Sequence, residues 1–466
     1  MKLRKWQSES ISQAMRSYSS GAKHFLVLAT PGAGKTVFAT KLAREMVNAS
    51  LVELVVCFSP TSIVSIDFAD SLSSEFNARF DGKLGAMGHS TTYQNMKYLD
   101  FDFWSLLDEY NVLVIFDEIH HCAGLELDSA NSWGEQILLK IQNRAAYTLA
   151  LTGTPWRSDS TPIVLSRYCK NLQDIICDYQ YGLERAIQDS VCRVPIITII
   201  DNDHIEFSRK GEDKLFRSME ELLNEKESKY QEIIEDNGVI SELIERADSK
   251  LNEIRQLTPS AGGLIVTSSI QHAHKVKTIL QKTTKKVATI VTSHEDSPNK
   301  IIRDFRSNTS EWIIAVGMVS EGTNIPRLQV CVHLTNIKTE LNYRQILGRI
   351  LRFTDNLINY GYLFMPAHPS LIEFAYRIAE DIPQHSQIIR HEKAGVPFKA
   401  SGSNIEHIVK PAIVNEDTTL SFEGEFYEAS SEKQDKNPLS ESYESMLGIV
   451  GRFKDEVLEI KLVDSL

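Results

Sequence analysis

Ala29-Thr30-Pro31-Gly32-Ala33-Gly34-Lys35-Thr36 is the stretch from which the rest of this chain can be read. It follows an apolar run, His24 to Ala29, and precedes a segment from Thr36 onward whose apolar residues recur at helical spacing. A glycine loop between a strand and a helix suits phosphate. Glycines tolerate left-handed backbone, so Gly32 and Gly34 let N–H groups close around an anion at a helix start that already favours negative charge. Pro31, Gly32, Ala33 and Gly34 are expected to shape the cradle. Lys35 is expected to reach the β and γ phosphates of ATP, and Thr36 to offer its hydroxyl to Mg²⁺. The general pattern has a glycine where this chain has Ala29. That departure is mild, because the end of a strand does not need positive φ.

Downstream, Val112-Leu-Val-Ile-Phe116 runs into Asp117-Glu118-Ile119-His120. A buried strand that delivers two adjacent carboxylates to its C-terminal end puts them where an open α/β sheet holds its ligand. Asp117 is expected to hold Mg²⁺ and Glu118 to orient and polarise an attacking water. A strand end capped by solvated acids is the plain alternative. His24 to Ala29, Glu53 to Phe58, Val112 to Phe116 and Tyr147 to Leu151 read as strands buried on both faces. Their alternation with helical stretches predicts βαβ units around a mainly parallel sheet.

From about Glu206 to Thr258 the pattern turns to acidic helix, and Asp236-Asn237-Gly238 divides it into two arms. Apolar runs resume at Gly263 to Thr267, Val287 to Thr292, Trp312 to Gly317, Gln329 to Leu334 and Tyr362 to Met365, which predicts a second α/β unit. Past Gln384 the apolar density falls. The expected division is residues 1–190 for a first unit and 191–385 for a second, with a helical insertion at about 205–258. Residues 386–466 are left as an acidic tail or small appended element.

With these motifs in this order, the chain resembles a superfamily 2 helicase of the DExH type, reading DEIH. It is similar to the branch that holds type I restriction motor subunits and phage repair helicases, from Leu3 to about Pro366. The resemblance implies two RecA-like lobes, with ATP between them. It implies that Arg4 and Gln7 lie near the adenine, although an amphipathic first helix with Trp6 in the core explains the same letters. Leu151-Thr152-Gly153-Thr154-Pro155 resembles the coupling motif, so Thr152 and Thr154 are expected to offer hydroxyls toward His120 and Glu118. Tyr343 to Arg352 matches the QxxGRxxR motif, with Gln345, Arg349 and Arg352 on or near one helical face. Such guanidinium forks match phosphate oxygens. Residues 317–326, GMVSEGTNIP, resemble the motif that touches nucleotide and nucleic acid, which gives Ser320 a backbone phosphate and Gly322 and Asn324 the ribose side. Asn324 stands where many relatives have Asp. Pro60, Thr61, Thr92 and Ser268 occupy the family's nucleic-acid contact positions; they are also ordinary turn residues.

The formal charge of −12 looks wrong for a protein that grips phosphates. Its distribution answers the objection: Ser401 to Leu466 hold 14 acidic and 6 basic side chains, a net of −8, which leaves −4 for the first 400 residues. A local basic groove is compatible with that. There is no run of eighteen apolar residues and no apolar segment at the start, so a soluble, cytoplasmic protein is expected. The six cysteines show no CxxC pair and read as free thiols. The expected function is an ATP-dependent helicase or translocase acting on nucleic acid, favouring DNA without base specificity. The alternative is a nucleic-acid-stimulated ATPase that acts as a clamp and recruits a protein partner through the helical insertion or the tail. That tail also permits autoinhibition, in which case deleting Ser401 to Leu466 tightens DNA binding. Glu459-Ile460-Lys461 has the ExK form of some nuclease cores, which a short amphipathic strand explains equally.

Overall fold

The computed structural model describes residues 3–155, 157, 161–169, 175–209, 212–225, 228–292, 295, 297–316, 325–353, 359–380, 386–393 and 445–462. The apolar runs of the first unit become β1 (His24–Ala29), β2 (Leu54–Ser59), β4 (Val112–Phe116) and β5 (Tyr147–Thr152), joined by β3 (Gly88–Thr92). A short antiparallel ladder of β6 (Arg167–Tyr168) and β7 (Ile175–Ile176) precedes β8 (Tyr179–Tyr181). The sheet order is β3-β2-β4-β5-β1-β8 with every pairing parallel. All five residues of β4 are buried, as a central strand covered on both faces requires. The helices of this lobe are α1 (Lys5–Ser19), α2 (Lys35–Asn48), α3 (Ser62–Phe76), α4 (Phe101–Glu109), α5 (Ser132–Lys140) and α6 (Leu183–Gln188).

Because the strands are parallel and in register, with Leu28 beside Thr152 and Phe116 beside Ala150, their C-terminal ends share one edge. The glycine loop, Asp117-Glu118 and Gly153-Thr154 all leave the sheet there. This is the physical link between three segments far apart in sequence.

The second lobe begins at β9 (Val194–Asn202). Its core strands are β12 (Gly262–Thr267), β13 (Ala288–Val291), β14 (Trp312–Val316), β15 (Leu328–Leu334) and β16 (Tyr360–Pro366). With β9 they form the parallel part of an eight-stranded sheet, in the order β13-β14-β12-β15-β16-β9. Helices α10 (Ile270–Thr284), α11 (Pro298–Ser307), α12 (Glu340–Ile350) and α13 (Pro369–Glu380) connect or follow them. The chain is therefore α/β, with two RecA-like units.

Two expectations are corrected. The segment expected to be helical from about residue 205 opens with β10 (Ile205–Arg209) and β11 (Glu212–Phe216), an antiparallel hairpin. Ile205 and Phe207 are buried while Glu206 between them is exposed, so the local period is two rather than 3.6. Among the described residues of that stretch, α7 (Met219–Asn224), α8 (Tyr230–Glu235) and α9 (Asn237–Leu257) are the helices. Asp236 makes the expected break, since its carboxylate accepts from the Val239 N–H at 2.9 Å and caps α9. The apolar face of α9 packs on β12, β15 and β16, so it covers the sheet and is not offered to a partner.

The second correction concerns 386–466. Within it, β17 (Ser386–Lys393) and β19 (Phe453–Leu462) complete the eight-stranded sheet, with β19 antiparallel to β9 over seven residue pairs. In the same region β18 (Ser445–Ile449) pairs with β10. Glu459-Ile460-Lys461 lies inside β19, which supports the strand reading of those letters. Leu458 is buried and Asp455 is ion-paired to Arg246 at 2.9 Å. Without β19 the edge of β9 would be an unpaired template. Deleting Ser401 to Leu466 is therefore expected to lower the melting temperature by roughly 5–15 °C, because losing a buried leucine and a half-buried ion pair costs about 2–5 kcal/mol. An unchanged melt would show that the strand contributes nothing. Among the described residues no helix is long and apolar enough to cross a membrane. None of the six cysteines is disulfide-bonded.

Candidate functional site

The glycine loop is held from behind. Gly32 and Gly34 adopt φ of 85° and 93°, and the Ala33 N–H closes a turn on the Thr30 carbonyl at 3.1 Å. Arg4 Nη1 donates to the Ala33 carbonyl at 2.7 Å, Trp6 Nε1 to the same oxygen at 3.2 Å, and Gln7 Nε2 to the Gly34 carbonyl at 3.0 Å. With carbonyls tied outward to α1, the N–H groups are left for the inner side. Gly34 caps α2 with no side-chain hydrogen bond, and the first turn carries no acid, so the helix start has positive potential and unbonded donors. These features fit a polyphosphate. Arg4 and Gln7, expected near adenine, are seen here as props of the loop. The Gln7 amide is used at both ends, since its Oε1 accepts from the Arg4 N–H at 2.9 Å. Trp6 is fully buried and stacks on Tyr181 at 4.9 Å.

Lys35 and the carboxylate pair meet directly. Lys35 Nζ lies 2.7 Å from Glu118 Oε1, with the side chains 10% and 25% exposed. Glu118 sits in left-handed backbone at φ 50°, which turns its side chain back toward the loop, and its Oε2 accepts from the Gly153 N–H at 3.1 Å. Burial and the neighbouring Glu118 push the Asp117 carboxyl up. Burial opposes ionisation of Glu118 too, but the Lys35 ammonium beside it outweighs that and holds this carboxyl below its ordinary range. The two adjacent acids are thus driven apart, a separation found where acid and base roles differ. Asp117 and Thr36 are the residues that could hold Mg²⁺. Among the described residues no group of three or more His, Cys, Asp or Glu could hold a metal, so such an ion would need phosphate and water oxygens as well.

His120 is buried and burial holds it well below the ordinary histidine range, so its ring is neutral. The Thr152 hydroxyl donates to the Thr154 carbonyl at 2.6 Å, so toward His120 Nδ1, 2.9 Å away, it can only accept. That places the His120 proton on Nδ1. Thr152 thus meets His120 by accepting from Nδ1, not by offering its hydroxyl proton. Thr154 does not reach Glu118, because its buried Oγ1 has no hydrogen-bond partner among the described residues and the Gly153 N–H takes that place. Gly153 was missed because its backbone, which carries no letter of its own, is what acts.

α12 brings the second lobe onto the loop. A Cβ built on Gly348 would lie 2.5 Å from Pro31 Cβ, and one on Gly32 would lie 3.0 Å from Arg352 Cγ. Glycine is needed at 348 for the helix to approach so closely. Gln345 and Arg349 lie on α12, but Arg352 is two residues beyond its end, fixed by an antiparallel bridge to Cys192. Burial first, then the charges of Arg349 and Arg306, push Arg352 down to about 9. Arg352 thus brings positive charge beside the loop, with Asp67 among the charges that act on it.

Thr61 and Thr92 stand at the ends of β2 and β3, on the same edge as the loop, and Pro60 is buried beside Thr61. Thr61 caps α3, accepting from Val64 N–H at 3.5 Å. At the corresponding edge of the second sheet, the Ser268 hydroxyl accepts from Gln231 Nε2 and bonds His272 Nδ1, each at 2.9 Å. That hydroxyl is committed inside the lobe. Ser320, Gly322 and Asn324 lie outside the described residues.

Residues 1–157 match the family "Type III restriction enzyme, res subunit", and residues 249–354 match the "Helicase conserved C-terminal domain". An uncharacterised protein of Mycobacterium leprae is 30% identical over 418 residues, covering 86% of this chain and 67% of that protein. The DNA 3'-5' translocase XPB2 of Sulfurisphaera tokodaii is 23% identical over 391 residues, covering 76% of this chain and 80% of that protein. A fragment described as an HsdR subunit of a type I restriction enzyme from Vibrio vulnificus YJ016 has a similar fold, with a TM-score of 0.55 at 17% identity, over 79% of this chain and 65% of that one. The chain spans about two thirds of the length of the mycobacterial relative and of the Vibrio fragment. On these matches and this two-lobed architecture, the chain belongs to the superfamily 2 helicases.

Proposed function

We propose that this chain is an ATP-driven motor that moves along or remodels DNA without reading its base sequence. The observation that carries the reading is the Lys35–Glu118 pair beside a glycine loop against which Gly348 and Arg352 of the other lobe pack. Bound Mg²⁺ and ATP would supply the cation and the phosphoanhydride that water cleaves. The first-turn N–H groups of α2 and Lys35 bind the phosphates, and Thr36 and Asp117 hold the cation. Glu118, released from Lys35, orients a water and takes up its proton. Arg349 and Arg352 neutralise charge from the second lobe, with Gln345 beside them. The Gly153 N–H and the His120–Thr152 contact make the state of Glu118 felt at the end of β5. Ser320, Gly322 and Asn324 are assigned by resemblance to the cleft.

Hydroxyls and N–H groups at strand ends, including those of Thr61 and Thr92, hold phosphates and carry no base readout. A step repeated along a strand needs that indifference. The Sulfurisphaera relative is a DNA translocase, which favours DNA here. The test is ATP turnover with single-stranded DNA, duplex, fork, four-way junction and RNA. DNA is expected to stimulate turnover and Lys35→Ala to abolish it. Equal stimulation by RNA would remove the DNA assignment. Stimulated turnover without translocation or strand displacement would favour the clamp.

A further inference from the structure

We propose that Arg193 is a positioning residue that sets the reach of Arg349 and Arg352 into the nucleotide cleft, an inference that rests on the motor reading above. Arg193 lies in the crossover between the lobes, one residue before β9, and is fully buried. A guanidinium taken out of water needs strong acceptors. Here they are carbonyls: Nη1 donates to Ile350 O at 3.1 Å and to Leu328 O at 2.9 Å, while the Arg193 N–H donates to Leu351 O at 2.7 Å. Ile350 is the last residue of α12, whose end carbonyls lack helical partners and carry the negative end of the dipole. The two finger candidates flank this clamp, Arg349 just before Ile350 and Arg352 just after Leu351.

The same crossover touches the first lobe. Cys192 bridges Arg352 and places Sγ 3.6 Å from the Pro31 carbonyl. Cys192 and Arg193 therefore connect the loop that cradles phosphate with the end of the helix that carries the fingers. One nitrogen, Nη1, holds both carbonyls, so the end of α12 is tied to Leu328 at the start of β15, and the rigid guanidinium plane fixes that nitrogen more firmly than a flexible ammonium stem would. Burial also pushes the Arg193 guanidinium down to about 10, consistent with a group enclosed by carbonyls. No sequence motif marks this position, because the partners are backbone oxygens more than a hundred residues away.

The test compares DNA-stimulated turnover of the full chain carrying Arg193→Met, Arg193→Lys and Arg349→Ala, and of the doubles with Arg349→Ala. Misplacing catalytic groups by about 1 Å costs up to about 100-fold in rate. Arg193→Met is expected to lower kcat by about 10- to 100-fold with KM for ATP within about 2-fold, and Arg193→Lys to recover part of the loss. Adding either change to Arg349→Ala is expected to cost less than it does in the wild type, because the part of the Arg193 effect that runs through Arg349 is already lost and only the part through Arg352 remains. If Arg193→Met does not fold, the lysine pair decides the same question. Unchanged kcat in the single variants, or losses that add in full to that of Arg349→Ala, would overturn the proposal. An inactive wild-type chain would overturn the motor reading and this one with it.

Discussion

On the proposed motor reading, Glu118→Gln is expected to lower DNA-stimulated ATP turnover by about 10² to 10⁴ while leaving nucleotide binding intact or tighter. The loss follows because an amide cannot take a proton from the attacking water. The binding side follows from the ion pair. Lys35 is neutralised by Glu118 at 2.7 Å, so a phosphate must displace a carboxylate before it can be gripped. Replacing that carboxylate by a neutral amide removes the competitor. A partly exposed pair is worth about 1 kcal/mol, so nucleotide affinity should rise by roughly fivefold. Titration with a non-hydrolysable ATP analogue reads the second effect, and steady-state hydrolysis the first. Turnover at the wild-type rate would remove Glu118 from the mechanism. Weakened binding would instead show that Glu118 supports the site and does not compete for Lys35.

The glycine loop and the DEIH segment were legible because each is contiguous and each follows a strand buried on both faces. Apolar runs such as Val112 to Phe116 need only their own letters to announce that environment. Harder to read was β3, Gly-His-Ser-Thr-Thr, a polar edge strand whose pairing with β2 supplies what its side chains do not. β19 was harder still. Its letters look like part of an acidic tail, and only the open edge of β9, some 250 residues earlier, makes them a sheet strand. The hairpin of β10 and β11 was hidden because Phe216 fits a helical spacing with the apolar residues that follow. Within the site, contiguous motifs name the side chains, and the fold supplies the backbone groups they meet. Lys35 and Glu118 pair, whereas the Gly153 N–H and the carbonyls held by Arg193 follow from the fold alone.

Arg349→Ala is expected to lower DNA-stimulated kcat by about 10³ to 10⁵, the range for an arginine finger in related nucleotide hydrolases. Arg349→Lys should not restore it, since a point charge cannot reproduce a planar fork on phosphate oxygens. The companion measurement is the melting temperature without nucleotide. Arg349 is largely buried, and its charge is one of the two that push Arg352 down, the other being Arg306. The like charges of Arg349, Arg352 and Arg306 disfavour one another, so removing one relieves part of that strain in the folded state. Losing the packing of the arginine stem opposes that gain. The variant should therefore melt within a few degrees of the wild type or slightly above it. A large fall in kcat with an unchanged or raised melt is the signature of a group kept for the anion it meets in turnover. A matching fall in both would make Arg349 a structural cation. The same logic separates Arg352, whose stem lies against Gly32 of the loop. Its removal should raise KM for ATP as well as lower kcat, because it disturbs the cradle itself.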